Sequence, residues 1–166
     1  MPDTASILLA EDDETDILLL RRALAEVGVT RPIDVVSDGQ EAVDFLERLQ
    51  SAPGNGDRMP ALLILDLKMP RMTGLDVLRW VRSEPGMRAV PVMIFSSSAH
   101  PHDIERAFAA GANAFLVKSA ATSERVELAR FLKGWLQFNQ LPVACTDGFR
   151  AAKLLHLVSP PNGTGR

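Results

Sequence analysis

Cysteine, histidine and tyrosine are scarce or missing in this sequence. Its 166 residues hold one cysteine (Cys145), three histidines and no tyrosine. A single cysteine excludes both an internal disulfide framework and a metal cluster held by several cysteines. A reducing environment is therefore the default expectation for this chain.

Long apolar runs and clusters of basic residues are also absent. No run of about 18 apolar residues occurs, so no membrane span is expected. The first residues lack the basic and apolar stretches of a signal peptide, which makes a cytoplasmic protein the expectation. There is no block of Lys and Arg and the formal net charge is −3, which argues against a general nucleic-acid binder.

The chain has enough apolar material for one folded domain. Hydrophobic residues make up 46% and charged residues 23%, the usual balance of a soluble globular protein. At this length we expect one domain with some chain left over. The regular pattern fades after residue 140, and the segment 141–166, which finishes in a Pro/Gly-rich stretch, is expected to be partly flexible.

A short apolar run in the middle of the chain predicts a buried strand that ends on a carboxylate. Leu62–Leu65 is too short for a helix and is followed directly by Asp66. Strands with no polar face are typical of parallel sheets. In open α/β sheets, ligands bind beyond the carboxyl ends of the strands. Asp66 therefore lies where chemistry is expected, although a merely structural Asp that ends a strand is the alternative.

A strand followed by a helix recurs along the chain. The predicted strands are Ile7–Ala10, Ile33–Val36, Leu62–Leu65, Pro91–Ser96 and Ala114–Val117. Each is followed by apolar residues at helical spacing, and the last helix is the longest. This alternation predicts an α/β fold, a doubly wound parallel five-stranded sheet with helices on both faces and right-handed crossovers.

Four of the predicted strands end on functional side chains: Glu11 and Asp12, then Asp66, then Ser96, then Lys118. If the first strand is central, these groups converge at one edge of the sheet. Clustered carboxylates raise each other's pKa values unless a cation lies among them, and oxygen ligands alone favour Mg²⁺. Together with a lysine and a hydroxyl, such a site suits phosphoryl transfer with Asp66 as the nucleophile.

The residues around Asp66 form a specific string. It reads Asp-x-x-Met-Pro-x-x-x-Gly from Asp66 to Gly74, and Asp38-Gly39-x-Glu41-Ala42 precedes it. With these motifs, the chain resembles the receiver domain of two-component response regulators from about Ile7 to Asn139. The resemblance implies a (βα)5 flavodoxin-like fold with strand order 2-1-3-4-5, residues 1–140 forming the receiver domain and 141–166 an extension.

The resemblance also implies a role for each site residue. Asp66 is the expected phosphoacceptor, Ser96 and Lys118 are expected to contact the phosphoryl group, and Phe115 occupies the position of the switch aromatic. Mg²⁺ is expected to be bound by Glu11, Asp12, Asp66 and the backbone carbonyl of Lys68. Such a protein is not a conventional enzyme, but it catalyses its own phosphorylation and dephosphorylation. A core aromatic without a switching role is the alternative for Phe115, which cannot donate a hydrogen bond.

Three further features resemble single-domain regulators of phytochrome-type histidine kinases: the Pro/Gly-rich loop 51–60, the extended last helix, and Ser119 after the lysine. Most family members have a proline at the position of Ser119, so the shape of that loop stays open. The implied partner is a histidine kinase, linked to a phytochrome if the finer resemblance holds. The implied output is a change in the surface formed by helix four, strand five and helix five.

The end of the last helix is more apolar than a free terminus requires. Trp135, Phe138, Leu141, Pro142 and Val143 are interpreted as a homodimer seam formed by helix five and the extension. The alternative is that these residues fold back and cover the edge of the domain's own sheet.

Two other functions stay open at this point. A Mg²⁺-dependent phosphatase of the haloacid-dehalogenase type also uses an aspartate nucleophile, a hydroxyl residue and a lysine. That family has a second aspartate two residues after the nucleophile, where this chain has Lys68. The other alternative is a pseudo-receiver, a binding module that is never phosphorylated.

Overall fold

A computed structural model describes residues 5–51 and 59–140 of the chain. The described residues form strands β1 (Ile7–Ala10), β2 (Ile33–Val36), β3 (Leu62–Leu65), β4 (Val92–Ser96) and β5 (Ala114–Val117). The helices are α1 (Glu14–Glu26), α2 (Gly39–Ser51), α3 (Gly74–Ser83), α4 (Pro101–Ala109) and α5 (Thr122–Phe138). Strands and helices alternate throughout, as the apolar pattern predicts.

The strands form one parallel sheet in the order β2-β1-β3-β4-β5, which confirms the predicted flavodoxin-like topology. The three central strands are fully buried, which explains why they contain almost only aliphatic residues. The edge strands β2 and β5 are only partly buried. The order places β1 and β3 side by side in the middle of the sheet, so the segments that follow them lie next to each other.

Two hydrophobic cores lie on opposite faces of the sheet. The core under α2, α3 and α4 includes Leu63, Leu65 and Ile94, while the core under α1 and α5 includes Ile64 and Met93. Neighbouring residues of β3 thus point to opposite cores, as the alternation of side chains along a strand requires. The two cores fix the sheet from both sides and leave its carboxyl edge open to solvent and ligands.

A side chain caps the start of α1. The carboxylate of Asp13 caps α1 by accepting hydrogen bonds from the backbone N–H groups of Thr15 (2.8 Å) and Asp16 (3.0 Å). Ser51, the first residue of the expected loop 51–60, belongs to α2. In α4, Ala107 is buried, whereas Phe108 is half exposed.

In the described part of the chain, no helix is both long and apolar enough to cross a membrane. The extension 141–166, including the seam residues Leu141, Pro142 and Val143, lies outside the described residues.

Candidate functional site

The predicted site residues follow the carboxyl ends of β1, β3, β4 and β5. Pairing of Ala10 with Leu65 and of Leu65 with Ile94 brings three of these ends to the same level. The backbone ladder continues past the strands, because the N–H of Asp66 donates to the carbonyl of Ala10 (3.0 Å). The N–H of Lys118 likewise donates to the carbonyl of Ser96 (2.8 Å). Regular sheet hydrogen bonds therefore hold the backbone of the site in place.

Three carboxylates meet at this edge. Each of Glu11, Asp12 and Asp66 offers an oxygen that lies within 4.8 Å of the oxygens offered by the other two. Glu11 is 1% exposed and Asp66 is 7% exposed, whereas Asp12 faces solvent. Glu11 and Asp66 are thus shielded from water, and a ligand can approach the cluster from the side of Asp12.

Burial raises the pKa values of both inner carboxyls. Removal from water is the main cause for Glu11, and the ammonium of Lys118 opposes it while the charge of Asp66 adds to it. The pKa of Asp66 is also raised, again chiefly by burial, with Lys118 opposing the shift and Asp12 adding to it. Two neighbouring buried carboxylates with raised pKa values indicate that positive charge is in short supply at this site.

Lys118 supplies the positive charge. Its Nζ lies 2.6 Å from Oε2 of Glu11 and 3.6 Å from Oδ1 of Asp66, and the side chain is only 12% exposed. Nζ also lies 5.5 Å from the centre of the Phe95 ring, at a distance typical of cation–π contacts. Burial favours the neutral amine, but hydrogen bonds to Asp16 and Glu11 outweigh it, so the pKa of Lys118 is raised and the side chain is charged.

The residues present fit a hard divalent cation. Oε2 of Glu11 is buried, and its charged partner is the ammonium of Lys118 at 2.6 Å. Three carboxylate oxygens and no sulfur or imidazole form the donor set, which suits Mg²⁺. The expected carbonyl ligand, Lys68, lies two residues beyond Asp66 with its side chain exposed. A cation here would relieve the shortage of positive charge that the raised pKa values indicate.

Ser96 connects the site to α4. Its side chain is buried at the end of β4, and its Oγ accepts a hydrogen bond from the backbone N–H of Ser98 (3.1 Å). The hydroxyl of Ser98 donates in turn to the carboxylate of Asp103 in the first turn of α4 (2.6 Å). Phe115 is half buried and packs against the core that α4 also covers. A movement of Ser96 would therefore disturb hydrogen bonds that begin α4.

An ion pair connects the loop between β3 and α3 to the start of α2. Arg71 has a left-handed backbone (φ 63°), and its Nε donates to Oδ2 of Asp38 at 2.8 Å in an ion pair between the two loops. Burial alone would raise the pKa of Asp38, but the hydrogen bonds from the backbone N–H of Glu41 and from Arg71 outweigh this effect, so the pKa is lowered. The ion pair between Arg71 and Asp38 gives a physical reason for the aspartate of the Asp38-Gly39 motif. It also holds the loop that contains Lys68.

Gly74 allows the loop to pass close to the acceptor residue. A Cβ at this position would lie 2.0 Å from the backbone oxygen of Asp66, and one at Gly39 would lie 2.2 Å from that of Met72. Neither distance is compatible with a side chain. Both glycines of the motifs are therefore required by close backbone approach.

Ser119 takes over a helix-capping role in the loop after β5. No cis peptide bond occurs in the described ranges, so the Lys118–Ser119 bond is trans. The hydroxyl of Ser119 accepts a hydrogen bond from the N–H of Ala121 (3.1 Å) and donates to Glu124. Since Ala121 has no side chain that could cap α5, Ser119 satisfies a backbone group at its start.

Two contacts of the site escape sequence reasoning. Asp16 is readable only as part of the helix start, yet its Oδ2 accepts a hydrogen bond from Nζ of Lys118 (2.8 Å) across 102 positions of sequence. The pairing of Arg71 with Asp38 links residues 33 positions apart. A single sequence contains no signal for such contacts, because each depends on how two loops meet in three dimensions.

The comparisons with known proteins agree with this geometry. Residues 7–130 match the family model described as "Response regulator receiver domain". Response regulator Rcp1 of Synechocystis sp. is 28% identical over 139 residues, which cover 83% of this chain and 93% of that protein. The structure of its Mn(2+)-bound form aligns with a TM-score of 0.72 at 26% identity, covering 83% of this chain and 99% of that chain.

Two further solved structures carry phytochrome names. The phosphorylated cyanobacterial phytochrome response regulator RcpA aligns with a TM-score of 0.73 at 30% identity, covering 83% of this chain and 98% of that one. The bacteriophytochrome response regulator AtBRR aligns with a TM-score of 0.65 at 35% identity, covering 85% and 99%. In each case nearly the whole of the other chain is matched.

Proposed function

We propose, from the premise that this chain belongs to the family of response regulator receiver domains, that it takes a phosphoryl group onto Asp66 from a histidine kinase. The reaction requires Mg²⁺, and the phosphorylated protein signals through contacts with other proteins in the cytoplasm. The single observation that carries the proposal is the convergence of Glu11, Asp12, Asp66 and Lys118 at one edge of the sheet.

The chemistry assigned to Asp66 is nucleophilic. A carboxylate oxygen of Asp66 attacks phosphorus in line, the bond between phosphorus and the histidine nitrogen of the kinase breaks, and the imidazole leaves. Lys118 lies 3.6 Å from Asp66 and offers its ammonium to an oxygen of the transferred group. Water later cleaves the acyl phosphate and restores the carboxylate, so the protein resets itself.

Mg²⁺ would be held by Glu11, Asp12, Asp66 and the backbone carbonyl of Lys68. Its chemical contribution when bound is to neutralise charge on the transferred phosphoryl oxygens. The observation in favour is the cluster of three carboxylate oxygens from Glu11, Asp12 and Asp66. A related regulator, Rcp1, has been solved in a form described as Mn(2+)-bound.

The signalling step is proposed to start at Ser96. A new phosphoryl group offers acceptor oxygens and about −1.5 to −2 charges, which attract the Ser96 hydroxyl and Lys118. Ser96 would then break its hydrogen bond with the N–H of Ser98, which is linked to Asp103 of α4. Phe115 reorients with this movement, so the surface of α4, β5 and α5 has two states.

The partner is proposed to be a phytochrome-type histidine kinase, and the protein is proposed to act as a homodimer. The names and the coverage of RcpA and AtBRR support the kinase class. Phe131 and Phe138 support the dimer, since these aromatic side chains on α5 are 46% and 77% exposed. The segment 141–166 is proposed to continue this interface.

Acetyl phosphate tests the proposal without the kinase. Wild type and Asp66→Asn are incubated with acetyl phosphate and Mg²⁺, and intact mass and oligomeric size are recorded. We expect one phosphoryl group on the wild type, none after chelation of Mg²⁺, and none on Asp66→Asn. No adduct on the wild type would favour a pseudo-receiver, and steady turnover of a phosphomonoester would favour the phosphatase alternative.

A further inference from the structure

Asp16 lies in the first turn of α1, close to the phosphorylation site but outside the expected set of site residues. The carboxylate of Asp13 holds its backbone N–H (3.0 Å), which fixes the position of the residue on the helix. Its Oδ2 accepts a hydrogen bond from Nζ of Lys118 (2.8 Å). This contact joins the start of α1 to the end of β5, two elements that are not neighbours in sequence.

Lys118 is bound more closely by Asp16 than by the acceptor residue. An ammonium has three N–H donors and no acceptor. Its nitrogen lies 2.6 Å from Glu11 and 2.8 Å from Asp16, but 3.6 Å from Asp66. The centre of the Phe95 ring lies 5.5 Å from the same nitrogen. The third N–H is left for a phosphoryl oxygen on Asp66, but a movement of Lys118 from its present 3.6 Å toward Asp66 would lengthen at least one of the two short contacts.

The two short contacts differ in what their loss would cost. The side chain of Glu11 is 1% exposed, so Lys118 can leave it only where another cation, such as the Mg²⁺ of the proposed site, takes its place. The side chain of Asp16 is 34% exposed, so water can solvate the carboxylate when the lysine moves away. The contact with Asp16 is therefore the one that water alone can replace.

We propose that Asp16 is a positioning residue that holds Lys118 in the unphosphorylated protein and releases it to the phosphoryl group. The inference rests on the proposed function, because it assigns to Asp16 a competition with the phosphorylated acceptor. An interaction present in one state and absent in the other shifts the balance between them by its own strength. Asp16 thus disfavours the phosphorylated state, and phosphorylation frees the start of α1 from β5.

The test compares Asp16→Asn with Glu14→Gln. Both variants lose one negative charge from the first turn of α1, but the exposed Glu14 has no ion pair with Lys118 among the described residues. Beryllofluoride with Mg²⁺ serves as the phosphoryl analogue, and its affinity is measured by calorimetry. Before beryllofluoride is added, NMR of the Lys118 side chain reports directly on its contact with Asp16.

We expect Asp16→Asn to bind beryllofluoride roughly three- to tenfold more tightly than wild type, since it lacks a half-exposed charge-assisted contact. Glu14→Gln is expected to stay close to wild type. The free Lys118 ammonium signal should shift in Asp16→Asn only. In wild type, beryllofluoride should shift the amide signals of Thr15 and Asp16.

Three results would overturn the inference: equal beryllofluoride affinities of the two variants, weaker binding by Asp16→Asn, or an unchanged Lys118 signal in the free Asp16→Asn protein. The last of these needs no phosphoryl analogue. A wild type that binds no beryllofluoride would overturn the proposed function together with the release step. A Lys118 signal that fails to shift would remove the role of Asp16 alone.

Discussion

Asp66 is held in a state that costs stability. Burial, the largest influence, raises its pKa, so the native state binds the carboxyl proton more tightly than the unfolded chain does. As pH rises above the unfolded value, the unfolded chain gives up its proton first and stability falls. The loss is complete above the native pKa, where both states are ionised, so above the unfolded value the carboxyl of Asp66 lowers the stability of the free protein relative to a neutral side chain.

Asp66→Asn is therefore expected to raise the melting temperature of the metal-free protein at neutral pH by roughly a few degrees. The gain should shrink on acidification, because the wild-type carboxyl is then protonated as well. Thermal melts followed by circular dichroism in a chelating buffer measure both effects. Glu105→Gln, an exposed carboxylate on α4, is the control and should change little. A variant melting at or below the wild type at neutral pH would contradict this account of Asp66.

Lys68 is expected to lengthen the life of the acyl phosphate. Its side chain is exposed and lies two residues after Asp66, where a long cationic chain can shield the phosphoryl group from water. Lys68→Ala should hydrolyse several times faster, and Lys68→Met, which keeps the length without the charge, should fall between. Decay of the phosphorylated mass after removal of acetyl phosphate gives the rates. An unchanged rate in Lys68→Ala would rule out this role, and Ser97, exposed beside Ser96, would be tested next.

Residue identities in the site could largely be predicted, and their contacts could not. Asp66 and Lys118 could be predicted to lie near each other, because both follow strands that end at the same edge of a parallel sheet. The carboxylate of Asp16 was readable only as part of the start of α1. Its partner lies 102 positions away, and only the meeting of α1 with the end of β5 creates the pair.

At the scale of elements, a glycine beside the site and a glycine inside a helix differ in the space around them. Gly74 lies where a Cβ would approach the backbone oxygen of Asp66 to 2.0 Å. Gly134, inside α5, has nothing within 4 Å of its Cβ position. The same substitution should therefore have opposite effects at the two positions.

Gly74→Ala is expected to destabilise the protein by about 1–3 kcal/mol, because backbone atoms around the acceptor must shift. Gly134→Ala should stabilise it by about 0.5–1 kcal/mol through the lower entropy of the unfolded chain. Urea unfolding of both variants measures the difference. If Gly74→Ala were as stable as Gly134→Ala, the close approach at the end of β3 would be wrong.

The succession of strands and helices along the chain followed from the apolar pattern, because buried parallel strands and amphipathic helices differ in the spacing of their apolar residues. The loop between β3 and α3 did not follow in the same way. Its left-handed Arg71 is held by Asp38 of another loop, and a non-glycine residue gives no local sign of such a backbone. The predicted loop 51–60 included Ser51, which belongs to α2, since helix ends are hard to place without a strong stop signal.

At the scale of the whole molecule, α5 has a stripe of three aromatic side chains, of which Phe131 and Phe138 are exposed and Trp135 is half buried against the core. The ring of Phe131 lies 6.4 Å from that of Trp135, and Phe138 follows one turn later with 77% exposure. An exposed stripe of aromatic residues matches the composition of interfaces better than that of ordinary surface. The account therefore predicts self-association through α5.

Phe131→Glu combined with Phe138→Glu is expected to weaken self-association roughly tenfold or more, as for central aromatic residues of an interface. Phosphorylation by acetyl phosphate should persist, because neither residue contacts the site. Leu18→Glu places one such charge on an apolar residue of α1 that is about as exposed as Phe131, and it should leave association unchanged. Sedimentation velocity over a range of concentrations measures the effect. Equal association of the two proteins would leave the stripe without this role.

The most direct test of the central claim is chemical location of the phosphoryl group. After reaction with acetyl phosphate and Mg²⁺, sodium borohydride reduces an aspartyl phosphate to homoserine, and peptide mass spectrometry identifies the residue. The account predicts homoserine at position 66 alone, dependent on Mg²⁺ and lost when Lys118 is replaced by alanine. Homoserine at another aspartate, or none in a phosphorylated sample, would contradict it.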